Sequence, residues 1–71
     1  MTGAEFIRRV RALGRRRGVP VDFIAREGKG SHARLYYGRL STTVVDRKRE
    51  IRKGLLSTML NDLDLSRADL D

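Results

Sequence analysis

Apolar residues recur at helical spacing over residues 2–16 of the chain. The positions are Phe6, Ile7, Val10 and Leu13. They form one stripe along a helix and leave most of the arginines outside it, which predicts an amphipathic helix. Thr2 and Glu5 have the spacing of a capping box at its start, and Gly14 and Gly18 are stop signals near its end.

The middle of the chain changes to the period of two that is typical of strands. Pro20 cannot donate to a sheet ladder, so we expect it to start the first strand. A turn at residues 27–30 leads to a second strand at 31–37, and residues 38–40 turn the chain into a third strand at 41–45. Links this short join antiparallel neighbours, which predicts a three-stranded antiparallel meander.

The second predicted strand has two different faces. One face carries Ala33, Leu35 and Tyr37, and the other carries His32, Arg34 and Tyr36. Because Leu35 is the most apolar of the six, we assign its face to the core and the face of His32 to the solvent. A register slip of one residue would exchange the two faces and bury His32.

The pattern over residues 46–63 predicts a second helix, with Asp46 as its N-cap. Its apolar face consists of Ile51, Leu55, Leu56, Met59, Leu60 and Leu63. Gly54 in this helix costs about 1 kcal/mol relative to alanine, so we expect a close contact that requires glycine. Cations in the first turns, among them Lys48 and Arg49, oppose the helix dipole and favour a docked anion. The predicted fold class is therefore α+β, in the order α-β-β-β-α.

The chain has 71 residues, enough for one small domain, residues 1–71, with a short acidic tail at about 64–71. It has no cysteine and one histidine, which excludes disulfides, a thiolate nucleophile and most zinc sites. We expect no metal and no small-molecule cofactor. No apolar run approaches the roughly 20 residues of a membrane span, and no signal peptide is evident, so a cytoplasmic protein is expected.

The net charge of +7 arises from 16 basic and 9 acidic residues. The bases crowd residues 8–17 and 47–53, and the acids concentrate after residue 61. A small chain this basic commonly binds polyanions, and nucleic acid is the leading candidate. A cationic surface that only maintains solubility is the plainer alternative.

The chain's single histidine follows a turn that contains two glycines, in the run Gly28-Lys29-Gly30-Ser31-His32. Imidazole can accept and donate a proton near neutrality. Lys29 and Arg34 would place positive charge around it, as the cleavage of RNA by its own 2′-hydroxyl would need. Tyr36 could stack on a base or donate a hydrogen bond. On the residue alone, an exposed turn histidine without a role is the more common case.

Three segments resemble the HicA toxins of bacterial toxin–antitoxin pairs. Gly30-Ser31-His32 matches the family's Gly-Ser-His motif, Glu50-Ile51-Arg52-Lys53-Gly54-Leu55-Leu56 is similar to the segment that enters its last helix, and residues 1–13 resemble its opening helix. Many members also have a Val-Pro…His stretch in and after the third strand. This chain has Thr43-Val44-Val45-Asp46-Arg47 there, which leaves a second proton-transfer residue unassigned.

The resemblance implies a fold like a double-stranded-RNA-binding domain, with both helices on one face of the sheet. It also implies metal-independent cleavage of mRNA, with His32 as the catalytic residue, and neutralisation by a HicB antitoxin. The residues that would bind RNA or stabilise the transition state are Lys29, Gly30, Ser31, Arg34, Tyr36, Lys48 and Arg49.

Two other classes of function stay open at this point. A non-catalytic RNA-binding module needs the basic surface but not the histidine. A small interaction protein could use the same charge only to fit an acidic partner chain. Incubation with labelled RNA in a chelator separates the three hypotheses, since each predicts a different fate of the RNA.

Overall fold

A computed structural model describes residues 1–25 and 32–71 and has the predicted α+β architecture with an open three-stranded antiparallel sheet. The elements are α1 (Gly3–Arg17), β1 (Val21–Ile24), β2 (Ala33–Tyr37), β3 (Leu40–Val44) and α2 (Lys53–Asp62), followed by a 3₁₀ helix (Arg67–Leu70). The strand order is β1-β2-β3, so β2 lies in the centre of the sheet.

Thr2 and Gly18 cap helix α1 as the sequence predicts, but the Glu5 side chain binds Arg9 instead of completing a capping box. The Thr2 hydroxyl accepts a hydrogen bond from the Glu5 backbone N–H at 3.2 Å. The Glu5 carboxylate accepts a bond from Arg9 at 2.7 Å, which lowers the pKa of Glu5. Gly18 ends the helix in the left-handed region at φ 69°, a conformation that favours glycine.

Gly14 is not a stop signal, because α1 continues through it to Arg17. A Cβ at Gly14 would lie 2.5 Å from Val21 Cγ2 and 2.6 Å from the Val19 carbonyl oxygen. The glycine therefore lets α1 pack directly against the start of β1.

The hydrophobic core lies on one face of the sheet, between the sheet and both helices. Its buried members are Phe6, Ile7, Val10, Leu13, Ala33, Leu35, Tyr37, Val44, Met59, Leu60, Leu63, Leu65 and Leu70. Leu35 is fully buried at the centre of β2, and Ala33 and Tyr37 flank it on the same face. This confirms the prediction that the face of β2 with Leu35 enters the core.

The start of α2 differs from the prediction, since the helix begins at Lys53 instead of following Asp46. The Asp46 carboxylate accepts a bond from the Lys48 backbone N–H at 2.8 Å and pairs with Arg49 at 3.4 Å. It thus stabilises a turn and not a helix N-terminus. Lys48 and Arg49 lie in the loop that precedes α2, so their charges do not oppose its dipole. Arg52, the N-cap, and Lys53, the first residue, do place cations at the start of the helix.

The loop before α2 is held against the N-terminus of α1 by its backbone. The Gly3 N–H donates to the Arg49 carbonyl at 3.3 Å, and the Ala4 N–H donates to the Arg47 carbonyl at 2.9 Å. A Cβ at Gly3 would lie 2.5 Å from the Asp46 carbonyl oxygen, so this contact also requires a glycine. These bonds satisfy two N–H groups that a helix start leaves without partners.

Gly54 does not meet the expectation of a close contact. Apart from its chain neighbours and the adjacent backbone of α2, no described atom lies within 4 Å of the Cβ position at Gly54. The residue is the second of α2 and is exposed. The close contacts that require glycine occur at Gly3 and Gly14 instead.

The acidic end of the chain is part of the folded domain. Ser66 and Asp69 form a capping box at the short 3₁₀ helix, and Leu70 is buried in the core. The Asp69 carboxylate accepts a bond from Arg17 at 2.8 Å. Its bonds with Ser66 and then with Arg17 lower the pKa of Asp69.

Candidate functional site

His32 lies immediately before β2 and is exposed. Arg34 and Tyr36 lie on the face of the sheet opposite Leu35. Extending the alternation of β2 by one residue predicts that His32 belongs to the same face. We call this the open face, because the described helices pack on the other side. The predicted site residues Lys29, Gly30 and Ser31 lie outside the described residues.

Arg34 is held in place by two hydroxyl groups of the neighbouring strand. Its Nη1 donates to Thr43 Oγ1 at 2.7 Å, and its Nη2 donates to Ser41 Oγ at 3.0 Å. The side chain is half-buried. We call Arg34 with Ser41 and Thr43 the arginine clamp.

The register shows in which direction the Arg34 guanidinium leans. Thr43 is the cross-strand partner of Arg34, and Ser41 is the partner of Tyr36. The guanidinium therefore extends over β3 from its own row toward the row of Tyr36. His32 precedes Arg34 and lies in the opposite direction along β2.

The arginine clamp keeps its positive charge available. Within the described part of the chain, Arg34 donates to neutral hydroxyls and not to carboxylates. A guanidinium has five N–H donors, and the two hydroxyls accept from two nitrogens only. As far as the described residues go, donors remain for an anion such as a phosphate, which guanidinium binds well.

Tyr36 lies half-buried at the centre of the open face. Its cross-strand neighbours are Asp22 on β1 and Ser41 on β3. The row of Arg34 contains Ile24 and Thr43 in the same way. The open face thus combines one arginine and one tyrosine with small hydroxyl residues, and Asp22 places a carboxylate at the β1 edge.

A cleft of about 380 Å³ opens at the end of the sheet where His32 enters β2. Residues of all three strands line it, together with the loop before α2, and they include Phe23, Ala33, Val44, Arg47 and Lys48. Arg47 stacks over Phe23, with its Cζ 5.3 Å from the ring centroid, at a distance that permits a cation–π interaction. The cleft thus holds two cations beside Ala33, the residue after His32, on the side of the sheet that carries Leu35.

Lys48 and Arg49 are adjacent in the chain but line different grooves of the surface. Lys48 lines the cleft beside Ala33, whereas Arg49 lines a different groove with Val45 and Leu55. The Arg49 side chain is 85% exposed and pairs with Asp46. Of the predicted residues that are described, Arg34 and Tyr36 share the open face, and His32 precedes them directly before β2. Lys48 lines the cleft at that end of the sheet, among residues of the face that carries Leu35.

Sequence reasoning did not identify Ser41, Thr43 and Arg47 as site residues. Ser41 and Thr43 alternate with the buried Thr42, which is the pattern of a strand with one solvated face. That pattern alone does not show which arginine they contact. The pairing follows from the two-residue turn between Tyr37 and Leu40, which sets the register of the hairpin.

The described residues contain no group of three or more His, Cys, Asp or Glu side chains that could hold a metal ion. No helix among them has the length and apolar character needed to cross a membrane. Comparison with protein-family models, with curated proteins and with solved structures found no match to this chain.

Proposed function

We propose that this protein is a cytoplasmic endoribonuclease that cleaves mRNA with His32 as its catalytic residue, and that it is the toxin of a toxin–antitoxin pair. The observation that carries the proposal is an exposed histidine two residues before an arginine that hydroxyl groups hold on the open face. The resemblance of Gly30-Ser31-His32 and of the segment around Gly54 to the HicA toxins supports the same conclusion.

The proposed reaction uses the RNA's own 2′-hydroxyl as the nucleophile. His32 accepts the hydroxyl proton while the 2′-oxygen attacks the adjacent phosphorus. The bond from phosphorus to the 5′-oxygen breaks, a 2′,3′-cyclic phosphate forms, and a second donor protonates the leaving oxygen. Because the nucleophile belongs to the substrate, the reaction needs no metal-bound water. General acid–base catalysis of this kind contributes typically 10²–10⁴-fold to the rate.

Positive charge near His32 would bind the RNA backbone. Arg34 lies on the open face two residues after His32, and Arg47 and Lys48 line the cleft beside Ala33. Lys29 is two residues before Ser31 in the chain and adds a further cation close to the histidine in sequence. Contacts to phosphates give affinity that is tolerant of sequence and falls steeply as salt is raised.

The proposed partner is a HicB-type antitoxin. Toxins of this kind need a partner that keeps them inactive, and a basic surface favours a partner whose contacting surface is acidic. The chain's net charge of +7 agrees with such a partner, as it does with RNA.

Incubation of labelled mRNA in excess EDTA tests the proposal. We expect the wild-type protein to give fragments that end in a 2′,3′-cyclic phosphate, and the His32→Ala protein to give none. RNA that is retained but uncut would identify a non-catalytic binding module. RNA that is neither retained nor cut would favour the third hypothesis, a small interaction protein that binds an acidic partner. Activity that EDTA removes and magnesium restores would contradict the metal-independent mechanism.

A further inference from the structure

The arginine clamp points away from the proposed catalytic residue. Its two acceptors belong to the row of Arg34 itself and to the next row, that of Tyr36. His32 precedes Arg34 by two residues, a separation of about 6.8 Å along a strand. A phosphate bound by the remaining N–H groups of Arg34 would therefore lie some distance from a phosphate that reacts at His32.

We infer that the arginine clamp holds a phosphate next to the scissile one, in a single strand of RNA that follows β2 across the open face from His32 toward Tyr36. This assignment rests on the proposed function and makes Arg34 a residue that positions the substrate. The separation of alternate residues along a β-strand is comparable with that of successive phosphates along an extended RNA strand. One phosphate can therefore lie at His32 and the next at Arg34.

The chemistry of the open face favours a single strand over a duplex. Duplex RNA is read over a long stretch of its minor groove, whereas sheet faces that carry aromatic and cationic side chains bind splayed single strands. The open face is three short strands wide and has Tyr36 at its centre. Ser41 and Thr43 already hold the guanidinium in place, so less conformational freedom is lost when a phosphate binds.

The decisive experiment neutralises one phosphate at a time. The substrate is a short single-stranded RNA with one 2′-hydroxyl, which fixes the scissile phosphate, and a methylphosphonate at one chosen neighbouring position. For the wild-type protein, we expect one adjacent methylphosphonate to raise KM about ten- to a hundredfold, the range typical of a hydrogen bond to a charged group, with little change in kcat.

The Arg34→Met variant should raise KM for the unmodified RNA by a similar factor. The methylphosphonate at the sensitive position should then cause no further loss, because the contact is already gone. Arg67→Met is the matched control, since Arg67 is exposed and belongs to the C-terminal 3₁₀ helix. It removes the same charge far along the chain from the clamp and should leave both the KM and the methylphosphonate sensitivity unchanged.

The two hydroxyls are positioning residues, and conservative variants distinguish that role from a general loss of structure. Thr43→Val should reproduce part of the Arg34→Met defect in KM, and Thr43→Ser, which keeps the hydroxyl, should restore it. Equal defects in Thr43→Val and Thr43→Ser would overturn the role of the hydroxyl.

The outcomes separate the inference from the proposed function. If the wild-type protein does not cut the RNA, the proposed function is overturned. The assignment of the arginine clamp to a phosphate next to the scissile one is then overturned as well. The inference alone is overturned if the wild-type protein cleaves RNA but Arg34→Met lowers kcat at constant KM. In that case each methylphosphonate should reduce the activity of Arg34→Met by the same factor as that of the wild type. That result would assign Arg34 to the reacting phosphate. Binding of the same oligonucleotides to the His32→Ala protein gives a second readout. Adding Arg34→Met to that protein should again abolish the sensitivity of binding to the methylphosphonate.

Discussion

The hydroxyl of Thr42 donates a hydrogen bond to the carboxylate of Asp62, with 2.8 Å between Oγ1 and Oδ2. Thr42 lies on the inner face of β3 and is 1% exposed, and Asp62 is the last residue of α2. A polar group in the core is thus satisfied by the helix that covers it. The bond links α2 to the sheet in addition to the apolar contacts.

Removal of the acceptor should therefore destabilise the protein. Asp62→Ala leaves the buried Thr42 hydroxyl without this partner, and we expect the free energy of unfolding to fall by about 1–3 kcal/mol. In a Thr42→Val background the same change should cost much less, because no hydroxyl remains to be satisfied. Chemical denaturation of the four proteins of this cycle measures the difference. Equal costs in the two backgrounds would show that the bond does not stabilise the fold.

Two helical glycines should respond in opposite ways to alanine. At Gly14 the new Cβ would meet the Val19 carbonyl oxygen at 2.6 Å, so Gly14→Ala should cost about 1–3 kcal/mol in spite of the better helix propensity. At Gly54 the new Cβ would meet no described atom within 4 Å beyond its chain neighbours and the adjacent helix backbone. Gly54→Ala should therefore stabilise the protein by about 0.4–1 kcal/mol. Thermal unfolding of both variants checks this pair, and each serves as the control for the other. A destabilised Gly54→Ala protein would restore the need for a glycine in α2.

The fold was predictable where local pattern and long-range packing agree. Leu35 is the most apolar residue of its strand, so the face of β2 that enters the core could be chosen from the sequence. The start of α2 could not be, because Asp46 has the identity of an N-cap but binds Lys48 and Arg49. The Ile51 N–H donates to the Met1 carbonyl at 2.8 Å, and such a contact between distant segments leaves no local signal.

The stability of the C-terminal segment should depend on pH through Asp69. Its pKa in the folded protein is lowered by bonds with Ser66 and Arg17, below the ordinary value of 3.8. The ionised group therefore stabilises the fold above pH 3.8, and this contribution is lost as the pH falls through the lower folded-state pKa.

We expect Asp69→Asn to lower the Tm at pH 7 and to differ less from the wild type as the pH falls below 3.8. Asp64→Asn is the matched control, because Asp64 is exposed and its positive φ of 56° is one that asparagine tolerates. Thermal melts across this pH range measure both variants. A difference between Asp69→Asn and wild type that does not change with pH would contradict the role of the carboxylate's charge.

His32 should be dispensable for folding and required for activity. The side chain is exposed, so His32→Ala removes no core contact and should leave the Tm close to that of the wild type. If His32 transfers a proton in the reaction, cleavage should fall by about 10²–10⁴-fold and growth arrest on induction should be lost. Persistent arrest caused by a well-folded His32→Ala protein would remove His32 from the mechanism.

Only the part of the candidate site that depends on alternation along one strand, β2, could be predicted from the sequence. Because side chains alternate, His32, Arg34 and Tyr36 could be placed on one face from the sequence. The clamp could not, since the contacts of Arg34 with Ser41 and Thr43 depend on the turn that sets the register between β2 and β3. Arg47 also comes close to Phe23 only through the loop that α1 holds in place.

A partner that inactivates the protein by covering its site should protect His32 from chemical modification. His32 is the chain's single histidine, so diethyl pyrocarbonate modification followed at imidazole reports on this residue alone. An interface of about 800 Å² per partner would be large enough to cover the open face around His32 and Arg34. We expect titration with a HicB-type protein to stop RNA cleavage at a stoichiometric ratio and to slow the modification of His32 in parallel. The Arg34→Met variant should bind an acidic partner surface more slowly, with a smaller dependence on salt. Inhibition that leaves His32 fully reactive would contradict direct coverage and assign the inhibition to a surface away from the open face.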